Sequence, residues 1–256
     1  MSEGIGVLTT TFYRSPGELR YQMAQRTITK AIAAGHPVIV VDGSPDDGIS
    51  QSFRKVGAMV FKQQARGMGP SRRELFTHAG KPEIYDAGLP DVFVWLEPER
   101  EDLVRWLPMI AKPIQDGEAD IVIPERTETS WASYPAFQIE SEQTVNQVYA
   151  AVTGRRDDMT FGPLAFPFAL SSLFGDCNPE RYGGYDTYIQ QIAAMEAMAR
   201  GCRVWSVPVD FIYPPEQKQE EEITKRDDML YYRWWNAMQF TKTICLTARA
   251  LGLVKG

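Results

Sequence analysis

Val92-Phe93-Val94-Trp95-Leu96-Glu97-Pro98-Glu99-Arg100-Glu101-Asp102 is the stretch on which the reading of this chain turns. A short apolar run of β-branched and aromatic residues, the right length for a buried strand, stops at two carboxylates one residue apart. In an open α/β sheet, ligands sit just beyond the carboxyl ends of the strands. Two carboxylates at such a place can hold a divalent cation and, through it, a diphosphate. The same residues also read as a proline-containing acidic turn that starts a helix over 103–115, and both readings stand at this point.

Upstream, Ile5-Gly6-Val7-Leu8 reads as a first strand leading into Thr9-Thr10-Thr11. Leu19, Met23, Thr27, Ile28, Ala31 and Ile32 recur at helical spacing, with Gly35 as the stop. Pro37-Val38-Ile39-Val40-Val41 is a buried strand ending at Asp42-Gly43-Ser44-Pro45-Asp46-Asp47, and Ile49 and Phe53 suggest a short helix. Residues 58–61 read as a third strand, and Ser71 as the N-cap of a helix over 72–79. Downstream, Leu103, Trp106, Leu107, Ile110 and Ile114 form one apolar helix face, and 120–124 is another short strand.

The second half is less regular. Residues 125–135 read as a polar loop, 140–152 as a helix, and 161–166 as an apolar segment containing a turn. A helix over 185–200 and a strand over 203–212 follow. Residues 216–228 look too polar to bury, and the tail, 229–253, reads as helical. The alternation predicts an α/β fold with a mostly parallel sheet covered by helices on both faces. We expect one nucleotide-binding and acceptor domain over 1–222, with a C-terminal helical extension, 223–256, packed on it.

Composition narrows the function classes. The 256 residues carry a net charge of −6, which disfavours nucleic acid as a partner. Cys177, Cys202 and Cys245 have no metal spacing, and their odd number argues against a disulfide framework. His36 and His78 are far apart, so a histidine-rich zinc site is not expected. Met1-Ser2-Glu3-Gly4 lacks the basic and apolar regions of a secretion signal, and no apolar run reaches the ~20 residues of a transmembrane segment. A cytoplasmic setting is the expectation.

Asp42-Gly43-Ser44 is either a ligand-reading strand end or an ordinary turn that caps a helix. With Gly67-Met68-Gly69-Pro70-Ser71-Arg72 and then Glu97-Pro98-Glu99, its order and spacing resemble family-2-like glycosyltransferases of the GT-A (Rossmann-like) fold. The resemblance covers roughly residues 4–215, and a weaker one points to the subset acting on small acceptors, such as the glycerate-glycosylating synthases. It departs from the pattern in two places. The family's acidic motif is usually built from aspartates, and many relatives carry a histidine after the last strand, where this chain has Ile212-Tyr213-Pro214-Pro215-Glu216-Gln217.

The resemblance implies transfer of a sugar from a UDP- or GDP-linked donor to a hydroxyl acceptor, assisted by a divalent cation, Mn²⁺ or Mg²⁺. It implies that Thr9, Thr11, Asp42, Ser44, Arg66, Gly67, Gly69, Arg72 and Glu97 face the nucleotide sugar and that Glu99 holds the metal. Asp186, after Tyr182-Gly183-Gly184-Tyr185, falls where inverting members place the general base. The residues alone also allow Asp186 to be a helix-end carboxylate. Asp157-Asp158-Met159-Thr160-Phe161-Gly162-Pro163 reads either as an acceptor-side wall or, through Phe161 and Phe166, as core packing. Tyr231-Tyr232-Arg233-Trp234-Trp235 docks on its own domain, on a second copy of the chain, or on a membrane surface. A sugar-nucleotide nucleotidyltransferase is disfavoured, because its glycine-rich phosphate loop follows the first strand, where Thr9-Thr10-Thr11-Phe12-Tyr13 stands here. A non-catalytic nucleotide-sugar-binding or scaffold protein of the same fold is the alternative, favoured by the glutamates and the missing histidine.

Overall fold

The computed structural model describes residues 4–81, 83–84 and 91–255. The expectation drawn from the first three residues, and the outermost ends of the two expected regions, lie outside these described residues.

Strand β1 (Ile5–Thr11) lies inside the sheet, and helix α1 (Leu19–Ala33) carries the chain back to β2 (Val38–Asp42). Helix α2 (Asp47–Lys55) then leads to the edge strand β3 (Met59–Lys62), and α3 (Met68–Ala79) precedes β4 (Val92–Trp95). A 3₁₀ turn (Glu101–Trp106) and α4 (Leu107–Gln115) connect to β5 (Ile121–Arg126). The second half adds α5 (Glu128–Ala132), α6 (Ala136–Thr153), β6 (Leu164–Pro167), α7 (Ser171–Gly175), α8 (Ile189–Ala199) and β7 (Val204–Val209). Last come α9 (Pro215–Gln219), a π-helical turn (Glu220–Thr224) and the long α10 (Arg226–Ala250).

The described strands make one seven-stranded sheet in the order β3-β2-β1-β4-β6-β5-β7. All pairings are parallel except those of β6, which runs against both β4 and β5. Side-chain alternation along each strand splits the core into two layers. Leu8, Ile39, Val41, Phe93 and Trp95 face α3, α7 and α8, whereas Val7, Val38, Val40, Val92 and Val94 face α1, α2 and α4. The α/β expectation therefore holds, with helices on both faces of a mostly parallel sheet.

Four local expectations are corrected. Residues 161–166 were expected to turn, but Leu164–Pro167 is a strand, since it fills the gap between β4 and β5 and pairs with both. Helix α3 starts at Met68 with Gly67 as N-cap, one turn ahead of Ser71, whose hydroxyl donates to the Met68 carbonyl. Helix α8 starts at Ile189, so Asp186 sits in the loop before it. Finally, 216–228 does bury charge: the Glu221 side chain is 1% exposed, between Arg20 and Arg233. Those two guanidiniums, with the Gln217 amide, outweigh the burial that pushes the Glu221 carboxyl up, and hold it below its ordinary range.

Candidate active site

The carboxyl ends of β1, β2, β4 and β5 and the amino end of β6 meet along one rim of the sheet. At the β1–β2 part of this rim Thr9, Thr11, Asp42 and Ser44 are all hydrogen-bonded. Asp42 is fully buried, and its Oδ1 accepts from the Thr11 hydroxyl (2.9 Å), the Ser44 hydroxyl (2.6 Å) and the Ser44 peptide N–H (3.1 Å). Its Oδ2 accepts from the Ser50 hydroxyl. Ser44 in turn accepts from the Tyr13 N–H at 2.9 Å, and Thr9 donates to the Leu96 carbonyl at 2.9 Å. As placed, Thr9, Thr11, Asp42 and Ser44 hold the two strand exits in register. Phe12 stands exposed above Gly43, beside Gln63.

Helix α3 opens the next part of the rim. Gly67 carries no side-chain cap, so the first-turn N–H groups point outward with the positive end of the helix dipole. Gly69 is required by crowding: a Cβ there would lie 2.5 Å from the Asp186 carboxylate and closer still to its carbonyl. Arg66 is exposed at the tip of the preceding loop. Arg72 lies over the Trp95 ring at 4.9 Å and donates to the Thr187 carbonyl and to Gln190 Oε1 (3.2 Å). Its Nε is buried with no hydrogen-bond partner among the described residues, and burial lowers the pKa of the guanidinium against the pull of Glu97. Arg73 instead holds Asp186 through two hydrogen bonds, one of them 2.7 Å from Nη2 to Oδ2. Both oxygens of the expected base are thus occupied by one cation.

The β4 exit separates its two glutamates. Glu97 turns toward β6: a Cβ on Gly162, whose φ is +102°, would meet the Glu97 carboxylate at 2.2 Å. A side chain at Gly162 would therefore be excluded both by the left-handed backbone and by contact. Glu97 keeps 29% of its side chain exposed and accepts from Arg100 Nε at 3.4 Å. The Arg100 guanidinium is itself packed against the Phe211, Tyr213 and Tyr134 rings at 5.2–5.9 Å. Glu99 turns the other way and accepts from the Tyr13 hydroxyl at 3.0 Å. Burial pushes the Glu99 carboxyl above its ordinary range, and Arg20 and Tyr13 offset only part of the rise. Among the described residues no three His, Cys, Asp or Glu groups converge to hold a metal ion. With one glutamate beside Arg100 and the other on Tyr13, this donor set does not fit a divalent cation held by the protein alone.

Glu97 and Arg72 line a pocket of about 240 Å³. Its far walls are Ser141, Glu142 and Val145 of α6, Thr160 and Gly162 before β6, Gln190 and Gln191 of α8, and Tyr232, Arg233 and Asn236 of α10. Gln191 is buried, and its Oε1 has no hydrogen-bond partner among the described residues. Of the expected site residues, Arg72 and Glu97 share this pocket, while Asp42, Glu99 and Asp186 do not line it.

Sequence reasoning missed Arg126, Glu142 and Arg233. Arg126 ends β5 with a side chain wholly buried, donates to both Asp158 oxygens at 2.8 Å, and reaches Glu142 at 2.5 Å. Burial pushes the Asp158 carboxyl up, but Arg126 prevails and holds it below the usual range. Glu142 also lies 3.6 Å from Arg233. Asp157 and Asp158 are therefore spent on the Arg155 and Arg126 pairs, Phe161 belongs to the core, and Thr160 and Gly162 form the pocket wall.

Against solved structures the whole architecture aligns. Glucosyl-3-phosphoglycerate synthase of Mycobacterium tuberculosis superposes with a TM-score of 0.60 at 14% identity, covering 95% of this chain and 81% of that one. A crystal of that synthase with Mn²⁺, uridine diphosphate and phosphoglyceric acid gives 0.53 at 14% identity, over 91% and 79%. A CMP:2-keto-3-deoxy-manno-octonic acid synthetase complexed with CTP gives 0.50 at 11% identity, over 88% and 99%. No protein-family model and no curated protein matches the chain. At these identities the likeness establishes the fold, which is of the GT-A type.

Proposed function

We propose that this protein is a nucleotide-sugar-dependent glycosyltransferase. The observation that carries the reading is the shared pocket, where Arg72 and Glu97 of the strand-end half face Glu142, Gln191 and Asn236 across about 240 Å³. That space suits one small polar ligand, with buried polar groups to orient it. The solved synthase that shares the fold was crystallised with Mn²⁺, uridine diphosphate and phosphoglyceric acid. By analogy, the donor here is a UDP- or GDP-linked sugar and the acceptor a small hydroxyl compound.

In this reading the diphosphate lies at the start of α3, where free peptide N–H groups, Arg66 and Arg72 offset the charge that develops as the glycosidic bond breaks. Arg72 is the stronger contributor, because a cation in a partly dry site acts through a low dielectric. Glu97 accepts hydrogen bonds from sugar or acceptor hydroxyls. The β1 and β2 exits, kept rigid by Asp42, carry the nucleoside. Mn²⁺ or Mg²⁺ belongs to the reading as a charge that could accompany the diphosphate, not as a resident of the protein.

The test is a thermal-shift and hydrolysis panel of UDP-, GDP- and dTDP-sugars, each with Mn²⁺ and with chelator. A donor at a hundred times its Kd adds about 2.7 kcal/mol, which at this size is a rise of about 5–10 °C. Slow release of nucleoside diphosphate from the donor that shifts the melt supports a transferase. A shift without release supports the scaffold alternative. No shift with any donor overturns the reading.

A further inference from the structure

Helix α10 has two faces with opposite fates. Ala237, Phe240, Ile244 and Ala248 are buried in the core against α6 and α8. On the other side Tyr231, Trp234, Trp235 and Met238 are exposed, Tyr231 by 71% and Met238 by 58%. At 3.6 residues per turn, Asp227, Tyr231, Trp234, Met238 and Lys242 fall on one stripe about 22 Å long. The Tyr231 and Trp235 rings lie 6.4 Å apart with 10° between their planes, so the two aromatics stand side by side on the helix. Contiguous exposed aromatics of this kind mark a contact surface, unlike scattered single residues.

The stripe is complementary to itself. Its N-terminal end carries Asp227 and its C-terminal end Lys242, with the aromatic residues and Met238 between them. We propose that this face is a two-fold interface between two copies of the chain, with the α10 helices antiparallel. Placing the axis between Trp234 and Trp235 sets Trp234 against the partner's Trp235, Tyr231 against the partner's Met238, and Asp227 against the partner's Lys242. Each contact occurs twice, as an isologous interface requires. Among the described residues neither Asp227 nor Lys242 makes an ion pair; the Lys242 ammonium rests over the Tyr185 ring at 5.2 Å and would exchange that contact for the partner's carboxylate. A membrane surface fits less well, because the protein is net negative and the acidic end of the stripe would meet anionic lipid. Since the neighbouring face of α10 supplies Tyr232, Arg233 and Asn236 to the pocket, pairing would brace one pocket wall.

Sedimentation equilibrium over a dilution series tests this on the full chain. The wild type is expected to be a dimer that dissociates on dilution, and Met238→Glu to be a monomer with an unchanged melt. Asp227→Lys and Lys242→Asp should each weaken the dimer about tenfold or more, by opposing like charges. The double variant, which restores opposite charges across the axis, should recover most of that loss. A wild type that is monomeric at every concentration overturns the proposal. So does a double variant no tighter than the singles, which would exclude the antiparallel register. Flotation of a monomeric wild type with phosphatidylcholine–phosphatidylglycerol vesicles would overturn it and assign the stripe to a membrane instead.

Discussion

Strands β2 and β4 flank β1, and each leads to a carboxylate at the same rim of the sheet, Asp42 as the last residue of β2 and Glu97 two residues past β4, yet the two are treated in opposite ways. Asp42 has its oxygens filled by three hydroxyls and a peptide N–H, with no exposed surface left. Glu97 has a single long contact to Arg100, keeps part of its surface, and faces a pocket. A buried carboxylate with a complete set of donors stabilises the backbone that supplies them. One left with free lone pairs beside a cavity has capacity for a ligand. Strand-end position alone does not separate these roles; the census of donors does.

The largest effect expected is therefore structural. Asp42→Ala leaves the Thr11, Ser44 and Ser50 hydroxyls without their acceptor in a dry site. Hydrogen bonds to a charged group contribute about 1.5–3 kcal/mol each, and they share one carboxylate, so a loss of about 3–5 kcal/mol is expected. Calorimetry should show the melting temperature falling by on the order of 10 °C. An unchanged melt with lost nucleotide affinity would break the comparison and make Asp42 the reader of the nucleoside.

Glu97→Gln should do the reverse. The amide keeps the shape, so stability should stay within about 0.5 kcal/mol. It loses the charge, and donor hydrolysis should fall about a hundredfold, equivalent to about 2.7 kcal/mol in the barrier. Full activity in the variant would remove Glu97 from the site and weaken the pocket as the place of reaction.

Much of the rim was legible in the sequence because its signals are local. Alternating or continuous apolar runs marked β1, β2 and β4, and the turns after them are written in Thr11, Asp42 and Glu97 themselves. What stayed hidden depends on partners far along the chain. Leu164–Pro167 is a strand because β4 and β5 leave a slot for it, not because four residues ending in proline read as one. Arg126 appeared to belong to a polar loop, yet Asp158, 32 residues on, draws its side chain fully inside. Glu221 lies in an acidic stretch that looks solvated until Arg20 and Arg233 close on it. Asp186 stands near a helix start as expected, but Arg73, 113 residues earlier, holds it.

Asp186 lies between these two cases, and its substitution should have an effect of intermediate size. With both oxygens bound to Arg73 and no place in the pocket lining, it resembles Asp42 more than Glu97, although its side chain is partly exposed. Asp186→Asn should cost about 1 kcal/mol, as an incompletely buried ion pair does, and turnover should change less than tenfold. A loss of about a hundredfold or more with donor affinity intact is the signature of a general base. That result would mean Arg73 lets go during the reaction.

The smallest effect concerns Glu99, which is intermediate between the two cases: it has one partner in Tyr13 and a carboxyl that burial raises above its ordinary range. A carboxyl whose pKa is higher in the folded than in the unfolded state adds stability below the unfolded value, about 4.3. That contribution is lost as pH rises through the folded value, because the folded state then has to carry a poorly solvated charge. Above the folded value the ionised Glu99 is accordingly a burden on the fold. Glu99→Gln keeps an oxygen for the Tyr13 hydroxyl and removes the charge. Its melting temperature should be slightly above the wild type at pH 7, and the difference should close as the pH is lowered toward 4. A variant less stable than wild type at pH 7 would show that Arg20 outweighs burial, and would place Glu99 with Asp42 among the carboxylates that hold the rim together. A gain in stability accompanied by loss of donor binding would place it with Glu97, as a charge kept at the rim for its ligand at a cost to the fold.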